Sequence, residues 1–282
     1  TWQSLNVLEK KSKDEHSEAF AEAIKGINTV IIDEVHMAKA DVLKRLLTGP
    51  FAHCGIRWGL TGTVPKADYE FMGLKCSIGD VTHRIQASEL QDKGVLANCH
   101  VNVLQTQDHP QFKTYAEELK WLTTDKVRMA WVAKTIKDIS TSGNTLILVD
   151  RISAGEILQE QIEDAVFVSG STKNTDRKEQ YDEVSTATNK VIIATYGVAS
   201  VGINIPRIFN LVLIEPGKSF VRVIQSIGRG IRKAEDKENV QIWDITSSCK
   251  FAKRHLGARK KFYKEANYPY TIEKINYENP YT

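Results

Sequence analysis

The sequence predicts an α/β fold of two tandem domains, each built on a parallel sheet. Three observations carry this: short runs of β-branched residues recur along the chain, they are continuously apolar, and most are separated by stretches of helical periodicity. Continuous rather than alternating apolarity means that both faces of a strand are covered, as in parallel sheets between helix layers.

In chain order, Thr29-Val30-Ile31-Ile32 reads as a buried strand that runs directly into Asp33-Glu34. A helical pattern comes next, from Ala40 to Leu47, then a second strand from Ile56 to Leu60. Gln111 to Ser140 is mostly helical and carries Trp121 and Trp131, which are expected to pack in a core or between domains. The cluster Ser140-Thr141-Ser142-Gly143-Asn144 is a linker into the second sheet. Strands are then expected at Thr145 to Val149, Ala165 to Val168, Val191 to Ala194 and Leu211 to Ile214, with helices at Ala154 to Ile162 and Arg177 to Val184. The expected organisation is a first, partial domain over 1–110, a helical connector over 111–143, a second domain over 144–249, and a basic helix and tail over 250–282.

Composition sets the outer limits. A chain of 282 residues is long for one domain and comfortable for two. With 41% hydrophobic and 26% charged residues it is an ordinary globular composition, and no apolar run approaches the ~18–20 residues of a membrane span. The four cysteines (Cys54, Cys76, Cys99, Cys249) show no C-x-x-C spacing, which argues against zinc and a secreted disulfide scaffold and for a reducing cytoplasm. The net charge of +3 is small, but Lys253, Arg254, Arg259, Lys260 and Lys261 fall between Lys250 and Lys264, interleaved with Phe251, Phe262 and Tyr263. On a helix these give a basic surface with an apolar seam, suited either to phosphates or to a solvated cap.

Four segments carry chemistry. Asp33-Glu34-Val35-His36 comes directly after a buried strand, and a parallel strand delivers the residues after it to the carboxyl edge where α/β sheets bind ligands. A carboxylate pair there suits metal-assisted phosphoryl transfer, one holding Mg²⁺ and its neighbour acting on the attacking water. Leu60-Thr61-Gly62-Thr63 ends the next strand, and its hydroxyls are within expected reach of His36. Ile193 to Pro206 is a strand and a small-residue loop that lets backbone amides approach phosphate or ribose. Gln225-Ser226-Ile227-Gly228-Arg229-Gly230-Ile231-Arg232 puts two arginines on one helix face, as an arginine finger requires.

These segments, in this order, resemble motifs II, III, V and VI of superfamily 2 helicases, most closely the helicases of phage recombination. Thr145 to Asp150 is similar to motif IV, Val168-Ser169-Gly170 with Arg177 to the nucleic-acid-contacting motif after it, and Thr1-Trp2-Gln3-Ser4-Leu5 to motif Ib. The resemblance runs from Thr1 to about Ile245. It implies two RecA-like domains, the first lacking its opening strand, phosphate-binding loop and helix, with ATP and Mg²⁺ in the cleft between them. By the same resemblance, Asp33 and Glu34 are the metal-side carboxylates, and His36 couples to Thr61 and Gln225. Thr63, Gly202 and Asn204 line the nucleotide, while Arg232 is the finger and Arg229 stands beside it. Thr1, Gln3, Ser4, Ser169, Gly170, Arg177 and Thr195 touch the nucleic-acid backbone, and Lys260 and Lys261 add to it. The implied partner is DNA, single-stranded or branched, with RNA as the alternative, and the implied place is the cytoplasm.

Two departures stand out. Asn204 occupies a position where many relatives carry aspartate, and no G-x-x-x-x-G-K-[ST] occurs; Gly217-Lys218-Ser219 imitates its end but reads as a connecting loop. The first residue is Thr rather than Met, and the expectation is a phosphate-binding lysine upstream of it. The rival reading is a nucleic-acid-binding module without ATPase activity.

Overall fold

The computed structural model describes residues 1–37, 41–62, 64, 68–170, 187–202, 207–219 and 239–278. The chain divides into two compact units, Thr1–Arg84 and Ile85–Thr282. This moves the first boundary from 110 to 84, because the strand after it belongs to the second unit's sheet.

The first unit opens with helices α1 (Trp2–Asp14) and α2 (Ala19–Ile24). Strands β1 (Thr29–Ile32) and β2 (Ile56–Gly59) pair in parallel, flanked by α3 (Asp41–Thr48) and α4 (Asp68–Ser77). α3 carries the side chains that close the core: Leu43, Leu46 and Leu47 bury against Val35, Phe51 and Cys54, with Val30 and Ile32 from β1 packed on them. The opposite face of the pair, Ile31 and Trp58 in register with each other, is open, at 60% and 62% exposure.

Among the described residues the second unit contains one seven-stranded sheet in the order β5-β6-β4-β7-β8-β3-β9, parallel throughout. Its strands are β3 (Asn98–Thr106), β4 (Thr145–Val149), β5 (Val166–Val168), β6 (Val191–Thr195), β7 (Asn210–Ile214), β8 (Asn239–Ser247) and β9 (Tyr270–Ile275). The helices are α5 (Ala87–Asp92), α6 (Tyr115–Thr124), α7 (Lys126–Ser140), α8 (Ile152–Gln161), α9 (Tyr196–Gly202) and α10 (Lys250–Glu265). Met129, Val132 and Ile136 of α7 and Leu158 of α8 cover one sheet face against Ile147, Ile193 and Val212. Leu256 and Tyr263 of α10 cover the other, against Val101, Val103 and Ile242.

Segments 111–143 and 250–278, expected as a connector and part of a tail, pack within this unit: α7 and α10 cover the faces of its sheet and β9 pairs with β3. Glu118 of α6 caps α10 directly: its carboxylate accepts the amide hydrogens of Phe251 (3.1 Å) and Ala252 (2.7 Å), where no side chain of α10 itself does so. A buried carboxylate on free amides at a helix start is favoured by both hydrogen bonding and the helix dipole. Trp121 and Trp131 pack against buried clusters, Trp131 stacking on Tyr277 at 5.7 Å. Among the described residues no helix is long and apolar enough to cross a membrane.

Candidate functional site

In the first unit the chain leaves β1 through a tight turn. Glu34 adopts the left-handed region, φ 50, and Asp33 Oδ1 accepts its amide hydrogen at 2.9 Å. A non-glycine residue there is uncommon and costs of order 1 kcal/mol or more, so the surrounding contacts must hold it. They are in view: Leu60 donates its amide hydrogen to the Ile32 carbonyl (2.8 Å) and accepts that of Val35 (3.0 Å), extending the β1–β2 ladder around the turn. Gly59 makes the close approach possible, since a Cβ there would stand 3.1 Å from Val35 Cγ1.

The result brings Asp33, Glu34, His36 and Thr61 to one edge of the parallel pair. His36 Nδ1 lies 2.7 Å from Thr61 Oγ1, with the donor set by the ring tautomer. The same nitrogen is 3.3 Å from Glu34 Oε2, yet that oxygen is buried and makes no hydrogen bond among the described residues. The Glu34 side chain as a whole is 44% exposed, so the carboxylate is not sealed from water, and its one buried oxygen without a hydrogen bond can take an external donor or cation. Asp33 is exposed. No group of three or more His, Cys, Asp or Glu is assembled to hold a metal among the described residues. Two carboxylates at a sheet edge fit Mg²⁺ carried in with substrate phosphates, the mode in which that ion keeps its waters, rather than a protein cage.

In the second unit the parallel strands send all their carboxyl ends to one edge. Ser169 comes after β5, Thr195 ends β6 and Asp150 comes after β4, on three adjacent strands. Ser169 is buried and Gly170 exposed, and Thr195 Oγ1 accepts the amide hydrogen of Val198 at 3.4 Å, starting α9, which ends at Gly202. Thr1 and Ser4 engage each other: Thr1 Oγ1 lies 2.9 Å from Ser4 Oγ and accepts its amide hydrogen, capping α1, while Gln3 is exposed. Thr63, Arg177, Asn204, Gln225, Arg229 and Arg232 lie outside the described residues.

The basic helix divides in two. Lys250, Lys253, Arg254, Lys261 and Lys264 are exposed and Lys260 is half-buried, with Lys250 and Arg254 over the Phe251 ring at 5.5 and 5.3 Å. Arg259, read from the sequence as part of that basic surface, is instead fully buried. Its Nε and Nη2 donate to the two Asp244 oxygens (2.8 and 2.9 Å), and Tyr263 donates to the same carboxylate at 2.7 Å. Burial works against the guanidinium charge, but Asp244 outweighs it and raises the Arg259 pKa.

This pair belongs to a larger buried ionic network at the carboxyl ends of β7, β8 and β3, which the sequence reading missed. Arg128 of α7 donates to Glu215 Oε1 at 2.7 Å and lies 3.4 Å from Asp108 Oδ2. Thr106, Ser247 and Tyr277 donate to Asp108 at 2.6, 2.6 and 2.5 Å. Burial pushes the Asp108 carboxyl up, but Arg128 and these hydroxyls prevail and hold it below its usual range. Glu215 is the opposite case: burial prevails over Arg128 and pushes it up to about 7.

The comparisons with known proteins bear on this unit first. Residues 128–234 match the family model described as the helicase conserved C-terminal domain. Over those residues the second unit is similar to that domain. That domain spans α7 to the segment with the paired arginines, so the motifs read from the sequence of this unit lie inside it. The chain is also similar to the ATP-dependent DNA helicase uvsW of Enterobacteria phage T4, 26% identical over 266 residues, covering 87% of this chain and 53% of that protein. It therefore spans about half of that relative's length. The crystal structure of T4 UvsW shares the fold at a TM-score of 0.55 and 22% identity, over 90% of this chain and 55% of that one. Helicase Lhr of Mycobacterium smegmatis, solved with single-stranded DNA and AMP-PNP, shares it at 0.58 and 16%, over 90% and 33%.

Proposed function

We propose that the protein is a nucleic-acid-dependent ATPase of the helicase type that moves along DNA. The observation that carries this is the turn after β1: an exposed Asp33, a strained Glu34 with an unsatisfied buried oxygen, and His36 tied to Thr61. Helicase similarity in the second unit and the name of the phage relative support the same reading.

Mg²⁺, when bound with ATP, supplies neutralisation of the charge that builds on the phosphates. Asp33 would hold the ion, and Glu34 would orient the hydrolytic water and take its proton. His36 and Thr61 hold the Glu34 turn and report its state to the rest of the first unit. On the sequence resemblance, Arg232 is the finger, Arg229 its neighbour on the phosphates, and Gln225 the partner of His36. Gly202, Asn204 and Thr63 line the nucleotide. On the same resemblance, Ser169, Gly170, Arg177, Thr195, Thr1, Gln3 and Ser4 are the residues that would contact the nucleic-acid backbone. Contacts of that kind give little sequence preference and a steep salt dependence.

The test is steady-state ATP hydrolysis by the full-length protein, alone and with single-stranded DNA, forked DNA or RNA. Nucleic acid is expected to raise turnover by about tenfold or more, DNA more than RNA, with the stimulation fading as salt rises. Hydrolysis indifferent to nucleic acid, or no hydrolysis at all, defeats the reading; a larger response to RNA reassigns the substrate.

A second measurement addresses α10. Lys260→Glu with Lys261→Glu is expected to weaken DNA binding at low salt and reduce the slope of log affinity against log salt by about 1 to 2. An unchanged titration identifies the exposed side of α10 as a solvated cap.

A further inference from the structure

Glu215 is the first residue after β7 and the start of a turn that is pinned by four hydrogen bonds. Its amide hydrogen goes to the Ile245 carbonyl at 3.0 Å, and its carboxylate accepts from Arg128 at 2.7 Å and from Thr246 Oγ1 at 3.2 Å. Two residues on, the Gly217 carbonyl accepts from Arg259 Nη1 at 2.7 Å. Both residues sit in the left-handed region, Glu215 at φ 43 and Gly217 at φ 73. For glycine this is free, but for glutamate it is a cost that the ionic contacts must offset. The turn ends at Ser219, and the segment bearing Gln225, Arg229 and Arg232 continues directly from it.

We propose that Glu215 is a positioning residue for ATP hydrolysis: gripped by Arg128, and backed by Arg259 on Gly217, it fixes the point from which the arginine-bearing segment departs. The inference rests on the ATPase reading above. Its physical basis is a competition. Three carboxylates, Asp108, Asp244 and Glu215, share two guanidinium groups, Arg128 and Arg259, in a water-poor interior, with Tyr263, Thr106 and Thr246 completing the shell. Asp244 occupies Arg259 bidentately, so Glu215 depends on Arg128, which Asp108 also attracts. When Glu215 loses its charge, Arg128 is free to move fully to Asp108, and the turn loosens.

The pH dependence separates positioning from simple support of the fold. Burial pushes the Glu215 carboxyl up to about 7, from an ordinary 4.5. A raised carboxyl contributes stability only while protonated, so that contribution is complete below about 4.5 and gone above about 7. Glu215→Gln therefore should not lower the melting temperature at about pH 8, where the wild type carries the full cost of a buried charge.

The experiment is nucleic-acid-stimulated hydrolysis by the full-length protein between about pH 6 and 8.5, with melting curves at each pH. Wild-type kcat is expected to rise through a step near 7. Glu215→Gln is expected to lose that step and show a kcat about five- to tenfold below wild type at about pH 8, with KM for ATP within about twofold. Thr246→Val, which removes one hydrogen bond to the charged form, should move the step upward and lower kcat at about pH 7 by roughly two- to threefold. If Glu215→Gln tracks the wild-type profile at wild-type kcat, the positioning role is refuted while the ATPase reading stands. If the loss of kcat merely tracks a lowered melting temperature, Glu215 is structural and the proposal fails. A wild type that never responds to nucleic acid overturns the functional reading, and this proposal with it.

Discussion

Glu34→Gln in the full-length protein is expected to lower nucleic-acid-stimulated kcat by roughly 10²–10⁴, the usual value of a positioned general base, while ATP still binds. The amide matches the carboxylate in size and leaves the left-handed turn and its Leu60 contacts in place, but it cannot accept a proton from water. Among the described residues Glu34 Oε2 makes no hydrogen bond, and His36 Nδ1, 3.3 Å from it, is also 2.7 Å from Thr61 Oγ1. Steady-state hydrolysis and nucleotide binding, measured in parallel on wild type and variant, decide the matter. Turnover within about threefold of wild type would remove Glu34 from the chemistry and leave it as a turn residue.

Arg259→Met is expected to destabilise the second unit by about 3–5 kcal/mol, the cost of leaving one member of a buried ion pair alone. Asp244 would keep only the Tyr263 hydroxyl, and the Gly217 carbonyl would lose its donor. Adding Asp244→Asn should recover part of that loss, because the uncompensated charge is then gone. Lys261→Met on the exposed side of the same helix should stay within about 0.5 kcal/mol. Urea unfolding of these variants beside the wild type tests this; equal midpoints for Arg259→Met and Lys261→Met would refute the buried pair.

Most strands are legible in the sequence because parallel strands covered on both faces have an unmistakable composition. Thr29 to Ile32 and Thr145 to Val149 are read with the ends they have in the structure, and Ile56 to Leu60 within one residue. β3 escapes for a physical reason. Asn98-Cys99-His100-Val101-Asn102-Val103 alternates polar and apolar, since towards this side of the sheet one face is thinly covered, and Asn102 bonds Gln241 there at 2.9 Å. Without β3 the boundary falls too late, at 110 instead of 84. The site divides similarly. Short contiguous motifs such as Asp33-Glu34-Val35-His36 announce themselves, whereas the ionic network draws its members from Asp108, Arg128, Glu215, Asp244 and Arg259, far apart in the chain. One signal was available: Asp244 interrupts the apolar strand Ile242-Trp243-Asp244-Ile245, and a carboxylate in that setting requires a buried cation.

The place of β3 in the sheet also governs how the chain can fold as it leaves the ribosome. Among the described residues β3 pairs with β8 and β9 alone, and the contact between Asn102 and Gln241 spans 139 positions. The β4, β5, β6 and β7 ribbon can assemble from strands that have already emerged, but β3 stays without either of these neighbours until β8 and β9 are made. Loop closure of that length slows folding, and a waiting strand with open hydrogen-bonding groups is exposed to wrong pairings. A nascent chain halted before residue 239 would hold β3 with no partner. Ribosome-bound intermediates of the protein should therefore be protease-sensitive over Asn98–Thr106 until α10 and β9 are outside the exit tunnel.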